Sequence, residues 1–284
     1  MFSFSYDNLD DTLTDLAVER QRATPDARGI SYERLICPIG VWERVRVTSD
    51  EGASAIKRPI GTYDTLSIAR LDSQDEDSVY DIVEELARRL CLIFDDISVM
   101  PARILVVGLG NPTLTPDALG PRTAERVKAT MQIREYDEEL FDSLLTSEIA
   151  VIAPGVSAQT GLDTGVIIKA MCEAISPDVV IAVDSLMTRS EERLGRTIQI
   201  SDSGIFPGGL GNLKTPITRS GVGVPVIGIG VPTVISSRLL TKDLGEKPIL
   251  TEPHLLVPRN IDEITRVGAR IISGAINQAF GLDG

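Results

Sequence analysis

Four short runs of uninterrupted apolar residues constrain this chain most: 104–109, 149–153, 179–183 and 225–229. Such a run has no polar face to offer water, so each reads as a strand buried on both sides. Strands of that kind belong to parallel sheets whose two faces are covered by helices. The intervening segments supply them. Residues 117–131 read as a helix after the first run, and about 161–175 as a second, which Pro177 stops. A last helix is expected over about 261–280. Strands alternating with helices mean βαβ units, so the expected fold is α/β, a mostly parallel sheet with helices on both faces.

Upstream, residues 33–72 are β-rich, with short runs at 34–36, 41–47 and 65–71 punctuated by Gly40, Gly52 and Gly61. They predict a meandering, partly antiparallel addition. Val79, Ile82, Val83, Leu86 and Leu90 then recur at helical spacing. Residues 1–15 are acidic and weakly patterned and read as a mobile arm, leaving 16–284 as one domain. Aromatic residues are only 4% of the chain, so the core rests on Val, Ile, Leu and Ala. A formal net charge of −13 disfavours nucleic acid and acidic membrane as direct ligands. The acidic start lacks the pattern of a secretory signal, and no stretch has the length and apolarity of a bilayer span, so a cytoplasmic protein is expected. Cys37, Cys91 and Cys172 form no CxxC pair; Cys91 and Cys172 lie in apolar helical contexts and are expected in the core.

Ligands of open parallel sheets bind beyond the carboxyl ends of the strands. The Gly- and Pro-rich sequences of this chain fall there. Gly108-Leu-Gly-Asn-Pro-Thr-Leu-Thr-Pro-Asp117 follows the first run, and Ala153-Pro-Gly-Val-Ser-Ala-Gln-Thr-Gly161 follows the second. Asp184 closes the third, and a glycine-rich loop follows residue 200. Gly108-x-Gly110 lacks the third glycine of a dinucleotide fingerprint, because position 113 is Thr. Asp117 is placed to cap a helix, and Asp184 to end a strand and cap a turn. Together at one rim they are also a candidate acid–base pair, since two close carboxylates hold their pKa values apart. His254, the only histidine, lies in a late apolar segment and reads as a surface or packing residue. That leaves little for a Ser-His-Asp or Cys-His site or a catalytic zinc site, and no metal or cofactor is expected.

In order along nearly the whole chain, several segments resemble the germination endopeptidase (spore protease) family of spore-forming bacteria. They are Thr14-Asp-Leu-Ala-Val-Glu19, Thr115-Pro-Asp-Ala-Leu-Gly-Pro121, Ile152-Ala-Pro-Gly-Val-Ser-Ala-Gln-Thr-Gly161, Val180-Ile-Ala-Val-Asp-Ser-Leu186, Thr197-Ile-Gln-Ile-Ser-Asp-Ser-Gly204 and Gly228-Ile-Gly-Val-Pro-Thr-Val234. The resemblance implies a fold akin to hydrogenase-maturation peptidases, a homotetramer, and small acid-soluble spore proteins as substrates inside the spore. It implies a two-aspartate protease whose aspartates fall on Asp117 and Asp184. It also implies a zymogen that removes its own arm, with the cut between Asp15 and Leu16. Phe206 stands where the family commonly carries a histidine, and Asp184 is followed by Ser-Leu-Met rather than Ala-Leu-Ala. Three alternatives stand beside this reading: a metal-assisted maturation peptidase, an inactive homologue that binds a partner, and, on Val107-Gly-Leu-Gly-Asn-Pro112 alone, a peptidyl-tRNA hydrolase.

Overall fold

The computed structural model describes residues 14–144, 146–205, 216–236 and 255–282. After a short helix α1 (Ala17–Ala23), β1 (Ile30–Cys37) and β2 (Gly40–Val47) form an antiparallel hairpin, which β3 (Gly61–Ser67) extends after α2 (Asp50–Ile56). The long helix α3 (Glu76–Asp96) begins where the Asp75 carboxylate accepts the Ser78 N–H at 2.8 Å. Then come β4 (Arg103–Gly108), α4 (Leu119–Ala124), α5 (Met131–Tyr136), α6 (Glu138–Leu144) and β5 (Glu148–Ile152). The chain continues through α7 (Ser157–Thr160), α8 (Thr164–Ile175), β6 (Val179–Thr188), β7 (Thr197–Ser201), α9 (Arg219–Val222), β8 (Val226–Ser236), β9 (Leu255–Leu256) and a last helix (Ile261–Ala279).

These strands make one nine-stranded sheet in the order β1-β2-β3-β7-β8-β6-β4-β5, with β9 on the end of β8. The four continuous apolar runs are its parallel core: β8, β6, β4 and β5. The β-rich upstream segment is not a separate layer. It joins the same sheet through antiparallel pairing of β3 with β7, so the whole sheet is mixed. Side chains alternate across it. Ile104, Val106, Ile181, Val183, Ile227 and Ile229 face α3 and the last helix, whose Leu86, Leu90, Ile271 and Ile276 are buried against them. Leu105, Val107, Val180 and Ala182 face α8 through Ile168 and Cys172. A smaller cluster on β2, β3 and α2 receives Leu16, Ala17 and Val18.

Several expectations change. The third run does not end at Asp184. β6 continues to Thr188 because β8 also continues, pairing Asp184 with Gly230 and Thr188 with Ile235 across a bulge at Leu186/Met187. The helix expected over 117–131 is only α4. Its continuation is lost because Thr130 joins the edge of β5: its N–H donates to the Ile149 carbonyl at 2.9 Å and its hydroxyl to that of Ser147 at 2.6 Å. The 65–71 run ends as a strand at Ser67, and Leu71 enters the core from a 3-10 turn. Cys172 is buried as expected, but Cys91 is exposed: it follows Leu90, and one residue further round the helix leaves the buried stripe.

A backbone joint sets the rim of the sheet. A Cβ on Gly120 would lie 2.2 Å from the Leu109 carbonyl and 2.4 Å from that of Val183, and one on Gly108 would lie 2.2 Å from the Gly120 carbonyl. Only paired glycines let α4 rest directly on the ends of β4 and β6. Gly120→Ala is therefore expected to lower stability by about 3 kcal/mol, the upper part of the range for overpacking, because backbone rather than a flexible side chain is struck. Urea unfolding checks this; an unchanged midpoint would mean that α4 is not clamped there.

Candidate active site

β4 ends level with β6, Gly108 opposite Val183, and the Leu109 N–H donates to the Val183 carbonyl at 2.8 Å. The next residue of β6 is Asp184. Val183 faces α3 and the last helix, so Asp184 points to the opposite face, where it is buried. Its carboxylate accepts the Ser185 N–H at 2.8 Å. Asp117 arrives from the other side of the joint. It ends a 3-10 turn (Thr115–Asp117), and its carboxylate accepts the Asn111 N–H at 2.7 Å. Gly110 permits this fold-back: its φ is +116°, and a Cβ there would sit 2.0 Å from the Asp117 carbonyl. The Asn111 side chain in turn accepts from Gln159 at 2.7 Å, tying the first rim loop to α7.

Burial is the main cause that raises the Asp184 pKa, well above the ordinary carboxylate range, and the neighbouring Asp117 charge is the second. Asp15 adds a third, smaller push in the same direction. Burial also raises Asp117, against the stabilising Asn111 N–H. No cation is among the causes acting on either group. Asp117 and Asp184 thus lie close enough for the charge of Asp117 to act on Asp184, and burial raises both. Such a pair can offer one base and one acid at once. Asp117 does not cap a helix with its side chain, since α4 begins beyond it with no side-chain cap. Among the described residues no group of three His, Cys, Asp or Glu gathers as a metal-binding set. His254 and Phe206 lie outside the described residues.

The other two candidates, Asp15 and Leu16, lie on the same face. Residues 1–13 of the expected arm are outside the described residues, but Thr14 and Asp15 are held by the body rather than mobile. The reason is a free strand edge. Past Val183, β4 no longer accompanies β6. The exposed edge at Met187 is taken by Asp15: its N–H donates to the Met187 carbonyl at 2.8 Å, and its carboxylate accepts the Met187 N–H at 2.8 Å. Arg58 donates to the same carboxylate at 3.1 Å and to the Thr14 carbonyl at 2.8 Å. Gln199 brackets the Asp15–Leu16 bond. Its amide N–H donates to the Asp15 carbonyl at 3.3 Å, and its amide oxygen accepts the Ala17 N–H at 2.9 Å. Gln199 and Asp184 both stand opposite Gly230 of β8, so a strand without a side chain lies between them. Leu16 is fully buried beside Val45, Ile56, Tyr63 and Leu186. Arg58, Gln199 and the Met187 edge escape a reading of the sequence, because no local pattern marks them; they follow from strand register.

Comparison with known proteins agrees with the resemblance. The germination protease family profile matches residues 15–247. The germination protease of Clostridium perfringens is 36% identical over 315 residues, covering 94% of each chain. That of Caldanaerobacter subterraneus is 37% identical over 245 residues, 82% of this chain and 72% of the relative. Among solved structures, a NiFe hydrogenase maturation protease from Thermococcus kodakarensis aligns over 65% of this chain and 99% of its own with 18% identity. Its TM-score of 0.37 is too low for any shared detail to follow.

The protonation of Asp184 should be visible in stability. Its folded pKa lies above the unfolded value of about 3.9. The folded state therefore keeps a proton that the unfolded state has lost, and stability falls as pH rises from about 4 through the folded pKa. Asp184→Asn keeps the acceptor for Ser185 and removes the titration. Its melting temperature should match the parent near pH 4 and exceed it at pH 8. A difference that does not change with pH would contradict the assignment.

Proposed function

Because the chain belongs to the germination protease family, we propose that it is an endopeptidase of spore germination that hydrolyses peptide bonds with Asp117 and Asp184. Its proposed substrates are small acid-soluble spore proteins, and its own first target is the Asp15–Leu16 bond. The observation that carries this reading is the pair of burial-shifted carboxylates at one rim, with that bond on the same face.

In the proposed reaction the ionised carboxylate of the pair, Asp117, takes a proton from water as the oxygen attacks the carbonyl carbon. The protonated one, Asp184, gives its proton to the departing amine nitrogen as the C–N bond breaks. The products are a carboxylic acid ending at Asp15 and an amine beginning at Leu16, and a proton passing from Asp117 to Asp184 restores the pair, so atoms and protons balance. A groove of about 940 Å³ beside α1, lined in part by Glu19, Arg34, Glu43 and Arg193, has room for the rest of a substrate chain. No helix of the described residues is long and apolar enough to cross a membrane; the spore interior as the place of work is proposed from the family alone. Leu35 and Ile36, exposed on the edge strand β1, offer apolar surface for the proposed homotetramer.

Asp117→Asn and Asp184→Asn should each lower cleavage of a small acid-soluble spore protein by roughly a hundredfold or more, the scale of lost acid–base catalysis. The full-length Asp184→Asn chain should stay uncut, while the parent yields a form beginning at Leu16 by mass spectrometry. Near-parental cleavage by either variant, or loss of parental activity to a chelator, would favour the metal-assisted reading instead.

A further inference from the structure

The clasp on Asp15 has a property that a purely structural strap does not need. The Arg58 side chain is only 9% exposed, yet it meets a carboxylate that itself is 18% exposed. Its Nε is buried with no hydrogen-bond partner among the described residues, so Asp15 and the Thr14 carbonyl are what its guanidinium is given. Met187 commits both its N–H and its carbonyl to Asp15. Cleavage between Asp15 and Leu16 would let all of these partners leave together. What remains is a cation that these residues had covered, beside an unpaired strand edge, and both are better satisfied by a ligand that restores the same contacts. The vacated place is shaped for one ligand: an extended peptide whose acidic side chain reaches Arg58 while its backbone pairs with Met187.

We propose that Arg58, together with the β6 edge at Met187, is the subsite that reads the acidic residue on the N-terminal side of the cleaved bond, first in the chain itself and then in its substrates. The proposal rests on the self-cleavage reading above. Gln199 sets the register, since it fixes the carbonyl of the residue whose side chain Arg58 holds. The subsite also discriminates by form. An ionised carboxylate accepts from both Arg58 and Met187, whereas a neutral amide offers one acceptor oxygen and turns its NH2 toward a donor.

The test uses the matured protein beginning at Leu16 and two peptides that differ only in Asp or Asn before the Leu-Ala pair. The parent should favour the Asp peptide in kcat/KM by roughly 10- to 100-fold, the range expected for one buried charge-assisted hydrogen bond. Arg58→Gln should bring that ratio close to one by slowing the Asp peptide far more than the Asn peptide, which loses only the contact to its backbone carbonyl. A merely structural role would slow both peptides alike and keep the ratio, and that result overturns the proposal. Should Arg58→Gln not fold, Arg58→His is read instead. Its Asp preference should be below the parent's at pH 8, where imidazole is neutral; a parental ratio there is equally fatal. A parent that cuts neither peptide removes the self-cleavage reading and the proposal with it, whereas an Asp-preferring parent whose preference survives at Arg58→Gln removes the proposal alone.

Discussion

The contact between Gly120 and the backbones of Leu109 and Val183 is the one on which the rest of the rim depends. Van der Waals repulsion between a single methyl group and three backbone atoms would move α4 away from the sheet. With α4 would go the turn that carries Asp117. The proximity of two like charges is therefore built from the absence of side chains. Gly108 and Gly120 let one element approach, Gly110 lets the loop fold back, and Gly230 makes room for the Leu186 side chain beside Asp184. A cluster of aliphatic residues on the opposite face of the sheet holds this arrangement in place.

The electrostatics follow from that geometry. Burial acts on Asp184 more strongly than its neighbours do, and the neighbours that matter are both acids. A carboxyl so placed is pushed toward its protonated form by burial and by its acidic neighbours. The cations of this region are engaged elsewhere: Arg58 with Asp15, and Arg193 with Glu43 at 2.7 Å. The two carboxyls thus share a single face, while the charged clasp that holds Thr14 and Asp15 is arranged a few residues further along the same strand.

Much of this was legible in the sequence, and what was not has a common physical cause. β4, β5, β6 and β8 were readable because a strand buried on both faces needs an unbroken apolar run. Their ends were not. Asp184 and Ser185 interrupt the apolar run of β6, and Pro232 interrupts that of β8, yet each strand continues because the other pairs with it. Tertiary pairing likewise took Thr130 from a helix to a sheet edge. Asp117 could be nominated because a glycine and proline loop after a strand announces a rim, and Asp184 because it closes an apolar run, although the strand itself continues past it. Arg58 and Gln199 could not, since what matters is their distance in register from residues 43 and 184 positions away.

The strand order has a consequence for how the molecule is made. β3 finds its neighbour only when β7 exists, and β7 and β6 are joined through β8. Asp15 leaves the ribosome early, yet its partners Met187 and Gln199 come 172 and 184 positions later. At about 5–20 residues per second, that is a wait on the order of ten seconds or more. Contacts so distant in sequence form late, because the intervening loop must be closed before they give anything back. The segment at Asp15 therefore has no seat until β6 and β7, from the far half of the chain, have been made.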